Sequence, residues 1–214
     1  MRKKILPKFI LKMLLITDNF IYRLISETVV KFNHGEHPKH RIMRYHQFFL
    51  NHILEGSRVL DLGCGNGALT RDLAEKAKYI LAIDFNEKNI AWAKKNYNAP
   101  NIEYREGNIT HIENRQKFDF IILSNVLEHI EKRTDFLKKI KILAPKILIR
   151  VPMINRDWIT LYKKELGIEW RLDKTHFIEY TLKSFENELQ KAGLIIENYS
   201  IQFGEIWTVV QSKF

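Results

Sequence analysis

The run Val59-Leu60-Asp61-Leu62-Gly63-Cys64-Gly65-Asn66-Gly67-Ala68 carries an apolar, strand-like stretch into a glycine-rich turn and on into a helical pattern. Glycines at such a junction accept φ > 0 and let the backbone approach a ligand closely, with a helix N-terminus behind them. Gly63, Gly65 and Ala68 satisfy the G-x-G-x-x-G/A spacing of dinucleotide loops, a weak match by itself. Asp61 separates two ligands. A carboxylate at the mouth of the loop repels a pyrophosphate, whereas it suits the ammonium and sulfonium charges of S-adenosylmethionine. Asp84 closes the run Ile80-Leu81-Ala82-Ile83 at a spacing suited to a ribose diol, or else N-caps a helix predicted over 87–96.

The whole loop run resembles the first motif of class I S-adenosylmethionine-dependent methyltransferases. The resemblance implies that Asp61, Gly63, Cys64, Gly65, Asn66 and Gly67 line the methionine half of the cofactor, that Asp84 takes the ribose and that Phe85 faces the adenine. Glu106-Gly107-Asn108-Ile109 is similar to the family's Gly-Asp-hydrophobic turn, with Asn108 in place of the usual acid. Its amide can still accept from the adenine amino group; the alternative is a plain loop residue. Phe118-Asp119-Phe120-Ile121-Ile122-Leu123-Ser124-Asn125-Val126-Leu127-Glu128-His129-Ile130 looks like the fourth-strand segment of the small-molecule branch, which includes ubiquinone-pathway O-methyltransferases. It adds Ser124 and Asn125 to the cofactor wall. The Asn/Asp-Pro-Pro-aromatic motif, frequent where amines or nucleic-acid bases are methylated, is missing here. The resemblance therefore implies O-methylation of a small-molecule, sugar, quinone-like or lipid-linked acceptor.

Methyl transfer is an in-line displacement at a carbon already activated by its sulfonium, so the protein mainly aligns the partners and excludes water. A hydroxyl acceptor must also lose its proton, a task for a histidine titrating near neutrality. His129 follows the fourth strand, at the carboxyl edge where open α/β sheets bind ligands; otherwise it only caps and orients that segment. His176 lies in Asp173-Lys174-Thr175-His176-Phe177-Ile178-Glu179-Tyr180-Thr181, similar to the family segment that encloses the acceptor; otherwise it is a loop histidine bonded to backbone. Tyr45, with Arg41 and His46, falls where related enzymes close the cofactor site with a lid. A tyrosine hydroxyl or an arginine there would hold the cofactor carboxylate, unless Tyr45 sits in the core with its hydroxyl at the rim. Trp158, Trp170 and Arg171 belong to an insertion that shapes an acceptor pocket or simply packs down.

Bringing these residues to one edge requires a particular order of elements. Apolar runs at 58–62, 79–84, 101–105, 118–123 and 146–151 alternate with helix-like segments, which implies right-handed crossovers and parallel strands with helices on both faces. After a helix over 181–192, runs 194–203 and 206–213 meet at Gly204-Glu205 as an antiparallel hairpin. The expected fold is α/β, a Rossmann-like doubly wound, mainly parallel seven-stranded sheet with an antiparallel C-terminal hairpin. A helix over 41–54, with Ile42, Tyr45, Phe49 and Ile53 on one side, leads into it. Residues 33–40 read as a polar linker, and His34, His37 and His40 as solvated side chains rather than metal ligands. Residues 5–32 read as one or two amphipathic helices with Lys4, Lys8 and Lys12 one turn apart; their apolar faces cap the domain or lie on a membrane surface. The chain thus divides into an N-terminal helical segment and linker, 1–40, and a cofactor-dependent domain, 41–214.

With 214 residues, 45% of them hydrophobic and 28% charged, the chain has the composition of a globular domain that buries its own core. The lone Cys64 forms no internal disulfide and no spaced Cys/His pairs offer a zinc site, so a reducing, cytoplasmic setting and no metal are expected. The apolar stretch 5–16 is broken by Lys8 and Lys12 and has no small-residue cleavage site after it. It also falls short of the roughly 20 residues a span needs, which argues against a signal peptide or membrane-spanning helix. A net charge of +10 draws the protein toward polyanions. Two rivals therefore stand beside small-molecule methylation: a nucleic-acid acceptor, and an inactive cofactor-binding domain that serves a protein partner. Peripheral contact with the inner membrane face through residues 1–32 is a further expectation, and the sequence does not specify an oligomeric state.

Overall fold

A computed structural model describes residues 5–33, 37–112 and 116–212; Lys4, His34 and position 213 of the expected last strand lie outside them. Seven strands form in chain order: β1 (Arg58–Leu62), β2 (Tyr79–Asp84), β3 (Ile102–Glu106), β4 (Phe120–Ser124), β5 (Lys146–Pro152), β6 (Leu194–Gln202) and β7 (Glu205–Ser212). They make one sheet ordered β3-β2-β1-β4-β5-β7-β6. The first five are mutually parallel, and β7 pairs antiparallel with both β5 and β6. This is the α/β sheet the sequence implied.

The central strands are apolar at nearly every position because both faces are covered. Leu60, Leu62, Leu81 and Ile121 pack on one side with α6 (Arg133–Ile140) and α8 (Leu182–Lys191). Val59, Ile80, Ala82 and Ile122 pack on the other with Tyr45, Phe49, Leu69 and Ile90. Those partners come from α3 (Tyr45–His52), α4 (Ala68–Leu73) and α5 (Glu87–Asn96). Thr181 caps α8 through a reciprocal box with Ser184, in which each side chain bonds the other's backbone amide. The chain crosses the sheet between β1 and β4, and that switch point opens a crevice at the carboxyl ends of these strands.

Two sequence expectations shift. The helix expected over 41–54 is two, α2 (Lys39–Met43) and α3, because Arg44 takes a left-handed conformation at φ 53° and turns the axis. Ile42 consequently points outward, while Tyr45, Phe49 and Ile53 stay buried. The hairpin turns on Phe203 and Gly204 (φ 52° and 72°), one residue earlier than expected. Positive φ at both central residues matches the right-handed twist of the flanking strands.

Residues 5–32 form a single helix, α1 (Ile5–Phe32). It touches the body along a narrow line. Leu15 is buried, Lys163 Nζ on α7 (Trp158–Glu165) donates to Asp18 Oδ2 at 2.5 Å and Asn19 Oδ1 at 2.8 Å, and Asn19 Nδ2 donates to the Glu169 carbonyl at 2.7 Å. Among the described residues, no helix is long and apolar enough to cross a membrane.

Candidate active site

The glycine loop leaves β1 at the switch point. Gly63 and Cys64 both donate their amides to the Ile83 carbonyl at the end of β2. Gly63 has φ 76°, and a Cβ there would stand 2.5 Å from Val126 Cγ2; at Gly67 (φ 81°) it would stand 2.8 Å from the Tyr104 hydroxyl. Only glycine fits both. Asp61 sits buried beside the loop and accepts from Thr70 Oγ1 at 2.6 Å. Burial pushes its carboxyl up to about 6; the Thr70 bond opposes this and Asp84 adds to it.

Asp61, Gly65 and Ser124 line a pocket of about 170 Å³ that Arg150 also enters. Arg150 lies on β5 in register with Ser124 of β4 and Trp207 of β7. Its Nε donates to Asn125 Oδ1 at 3.1 Å and stands 3.5 Å from Glu205 Oε2, while the guanidinium carbon lies 3.6 Å from the centre of the Tyr45 ring. Its Nη1 is buried without a partner. Glu205 matches the charge of the guanidinium, and the one unpaired N–H is a local cost of burial in this site. Sequence reasoning missed Arg150, although a lone charge inside Ile147-Leu148-Ile149-Arg150-Val151, a strand buried on both faces, was a readable signal.

Tyr45 also lines this pocket. Its ring lies under Arg150, its hydroxyl stands 2.7 Å from His40 Nδ1, and burial pushes the phenol up to about 12. His40, expected to be solvated, is half-buried, and burial with neighbouring His46 drives its pKa down to about 4. Arg41 lines a separate hollow of about 540 Å³ with Arg44 and Trp92, and His46 Nδ1 lies 2.6 Å from Asp72 Oδ2 there.

A larger cleft of about 1000 Å³ opens on the far side of Gly63, with Asp84, Phe85 and Asn108 at one end and His129 and His176 at the other. Asp84 Oδ2 accepts from the Gly65 amide at 2.9 Å and Oδ1 from the Asn86 amide at 2.9 Å. The cap of α5 is Asn86, which accepts from the Lys88 and Asn89 amides, so Asp84 is free of the capping role and braces the loop. Phe85 is 77% exposed at the rim. Asn108 Oδ1 accepts from Thr110 N at 2.9 Å and Thr110 Oγ1 at 2.8 Å, capping one 3₁₀ turn, Ile109–His111. Both lone pairs are occupied, so the amide hydrogens, not the oxygen, remain for a ligand. Asn66 is exposed and its Oδ1 accepts from the Ala68 amide, while burial holds the Cys64 thiol far above its ordinary range, which keeps it un-ionised.

The two histidines meet edge to face, ring centres 4.6 Å apart. His176 is buried, with Nδ1 3.0 Å from Glu179 Oε1. Glu179 also accepts from Leu172 N at 2.6 Å and from Arg156, which sets its carboxyl group firmly against the Nδ1 edge of the His176 ring. With Nδ1 turned to Glu179, Nε2 is the ring nitrogen left to meet a ligand. His129 is exposed at the end of a 3₁₀ turn, its Nδ1 2.8 Å from Thr175 Oγ1, which donates to Asp173 Oδ1 at 2.8 Å. Desolvation of the part of its ring that faces the cleft, followed by His176, lowers its pKa, and Asp173 opposes this. Neither Glu179 nor the Asp173–Thr175 pair was singled out from sequence. Arg171 closes the wall, donating to Glu169 and to the His176 carbonyl.

Glu128 is fully buried, and both its oxygens lack partners; burial pushes its carboxyl up to about 8. Among the described residues, ligand atoms of Glu128, His129 and His176 lie within 4.8 Å of one another, a geometry open to a metal ion that the sequence did not suggest.

Residues 34–198 match the family described as methyltransferase domain. A "Ubiquinone biosynthesis O-methyltransferase" of Bradyrhizobium diazoefficiens is 34% identical over 122 residues, covering 56% of this chain and 48% of that protein. One of the same name from Caulobacter sp. is 33% identical over 148 residues, covering 65% and 59%. The chain thus spans about half the length of the first of these relatives. An S-adenosylmethionine-dependent methyltransferase from Clostridium acetobutylicum superposes with TM-score 0.66 at 14% identity, over 91% of this chain and all of that one. One from Mesorhizobium loti gives 0.59 at 18% identity, over 74% and 92%. At these identities the structures speak for the fold.

Proposed function

The chain belongs to the methyltransferase-domain family, and on that footing we propose that it transfers the methyl group of S-adenosylmethionine to a hydroxyl of a small-molecule, sugar, quinone-like or lipid-linked acceptor. The observation that carries the reading is the pocket lined by both Asp61 and Arg150 beside the glycine loop. An acid and a base at one end of a glycine loop suit the ammonium and carboxylate of an amino acid, a pair that a nicotinamide nucleotide lacks. Asp84 would hold the ribose, Phe85 and the Asn108–Ile109 turn the adenine.

The cofactor supplies a methyl group made electrophilic by its sulfonium. With the cofactor bound, an acceptor hydroxyl in the cleft would face His176 Nε2, which would take its proton while Glu179 holds the ring at Nδ1. His129 stands ready as a second acceptor in the same wall. Arg171, Thr175 and Phe177 close the cleft around the histidines and limit water there. The relatives' O-methyltransferase names support an oxygen acceptor, and the single Cys64 supports a reducing, cytoplasmic setting.

Calorimetry tests the reading. S-adenosylhomocysteine should bind, with loss of its carboxylate weakening binding at least tenfold. Arg150→Gln should erase most of that difference while leaving the thermal transition cooperative. Tight binding of a nicotinamide nucleotide and none of S-adenosylhomocysteine would overturn it. Labelled methyl transfer from cell extract should enter a low-molecular-weight fraction; label recovered in nucleic acid, with steep salt dependence, would favour the polyanion rival.

A further inference from the structure

The outer side of α1 is the least explained surface of the molecule. Phe9, Ile10, Met13, Leu14, Ile16, Phe20, Ile21 and Leu24 are all exposed, Phe9 and Leu14 to 62% and Phe20 to 61%. At 3.6 residues per turn they form one broad apolar arc opposite Leu15, interrupted in this stretch by Thr17 alone. Scattered apolar residues on a surface mean little, but a contiguous face of this kind marks a site of contact. The helix body is held in place from behind by Lys163, Asp18 and Asn19, so the arc is presented outward rather than folded against the sheet.

Charge identifies what covers it. Lys12 and Arg23 lie on the flank between the docked line and the apolar arc, the level at which lipid head groups meet an in-plane helix. Asp18 is already matched by Lys163. A second copy of the chain would set these cations and a net charge of +10 against their own kind, whereas an anionic surface takes both. No described helix is suited to crossing the bilayer, so the fitting arrangement is a helix lying in its surface.

We infer that α1 docks the protein on an anionic lipid surface, with the arc from Phe9 to Leu24 in the acyl boundary and Lys12 and Arg23 at the head groups. This inference does not depend on the methyl-transfer reading. Sedimentation with vesicles of phosphatidylglycerol and phosphatidylcholine in equal parts should pellet the full chain. Binding to pure phosphatidylcholine should be at least tenfold weaker. Phe9→Gln/Met13→Gln/Phe20→Gln should abolish pelleting, and Lys12→Glu/Arg23→Glu should weaken it at least tenfold on anionic vesicles. An unchanged thermal transition shows that each variant is folded. The inference falls if the wild-type chain stays in the supernatant, if it binds neutral vesicles equally, or if the triple variant pellets like wild type. It also falls if light scattering shows a dimer in solution that the triple variant dissolves, since a second copy then covers the face.

Discussion

Replacing Glu128 by Gln isolates the energetic cost of placing a carboxyl in a site that offers it nothing. Both oxygens lie buried without partners, and burial lifts the group from its ordinary 4.5 to about 8. Its own backbone amide and Arg150 oppose the shift, while Glu205 and Glu179 add to it. Between these two values the side chain is neutral in the folded protein and ionised in the unfolded chain. The stability associated with this group is therefore fully present below about pH 4.5 and is lost as pH rises toward 8. Each unit is worth about 1.4 kcal/mol, so from pH 5 to pH 7 the wild type should lose about 3 kcal/mol relative to Glu128→Gln, which cannot ionise. Against a typical total of about 5–15 kcal/mol, that is readily measured by urea unfolding of both proteins at half-unit intervals. A stability difference that stays flat across this range would show that Glu128 is ionised in the folded state, and the reasoning from its burial would fail.

Glu179→Gln should lower the methyl-transfer rate by about 10²-fold or more and shift the acidic limb of its pH profile, because an amide offers His176 Nδ1 either a donor or an acceptor and no longer holds the ring as a carboxyl group does; an unchanged profile assigns the base elsewhere. Gly63→Ala should cost about 1–2 kcal/mol from its left-handed backbone plus the collision with Val126, and adding Val126→Ala should recover the collision but not the backbone part in denaturant melts. Arg44→Gly should leave stability equal or raise it by up to about 1 kcal/mol, since glycine tolerates φ 53° between α2 and α3, whereas Arg44→Val should lower the melting temperature.

The sheet was legible because its signals are local and repeated. Apolar runs between helical segments gave all seven strands to within two residues, and the Gly63–Gly67 loop announced the switch point. The break at Arg44 was invisible for a physical reason: an arginine at positive φ carries no mark in the sequence when tertiary packing of Tyr45 and Phe49 enforces it. The histidines were found by type and place, but their ranking needed the partners behind them. Glu179 lies three residues from His176 and looks like any surface acid until the insertion folds Arg156 and Leu172 N onto it. Arg150 was legible in principle, because a single charge inside a strand buried on both faces must be held there by a specific partner. The Asn108 oxygen is an acceptor by type, but the local contact with Thr110, which residue type does not reveal, already occupies it.

The place of β7 ties assembly to ligand recognition. It follows β6 in the chain yet inserts between β6 and β5, so β6 joins the sheet only through a strand synthesised after it. Glu205, on that same inserted strand, is the carboxylate next to Arg150. A chain whose β7 has not threaded into its slot leaves this guanidinium without its counter-charge and the adjoining pocket misshapen, so affinity for the amino-acid end of the ligand would report that β7 is in place.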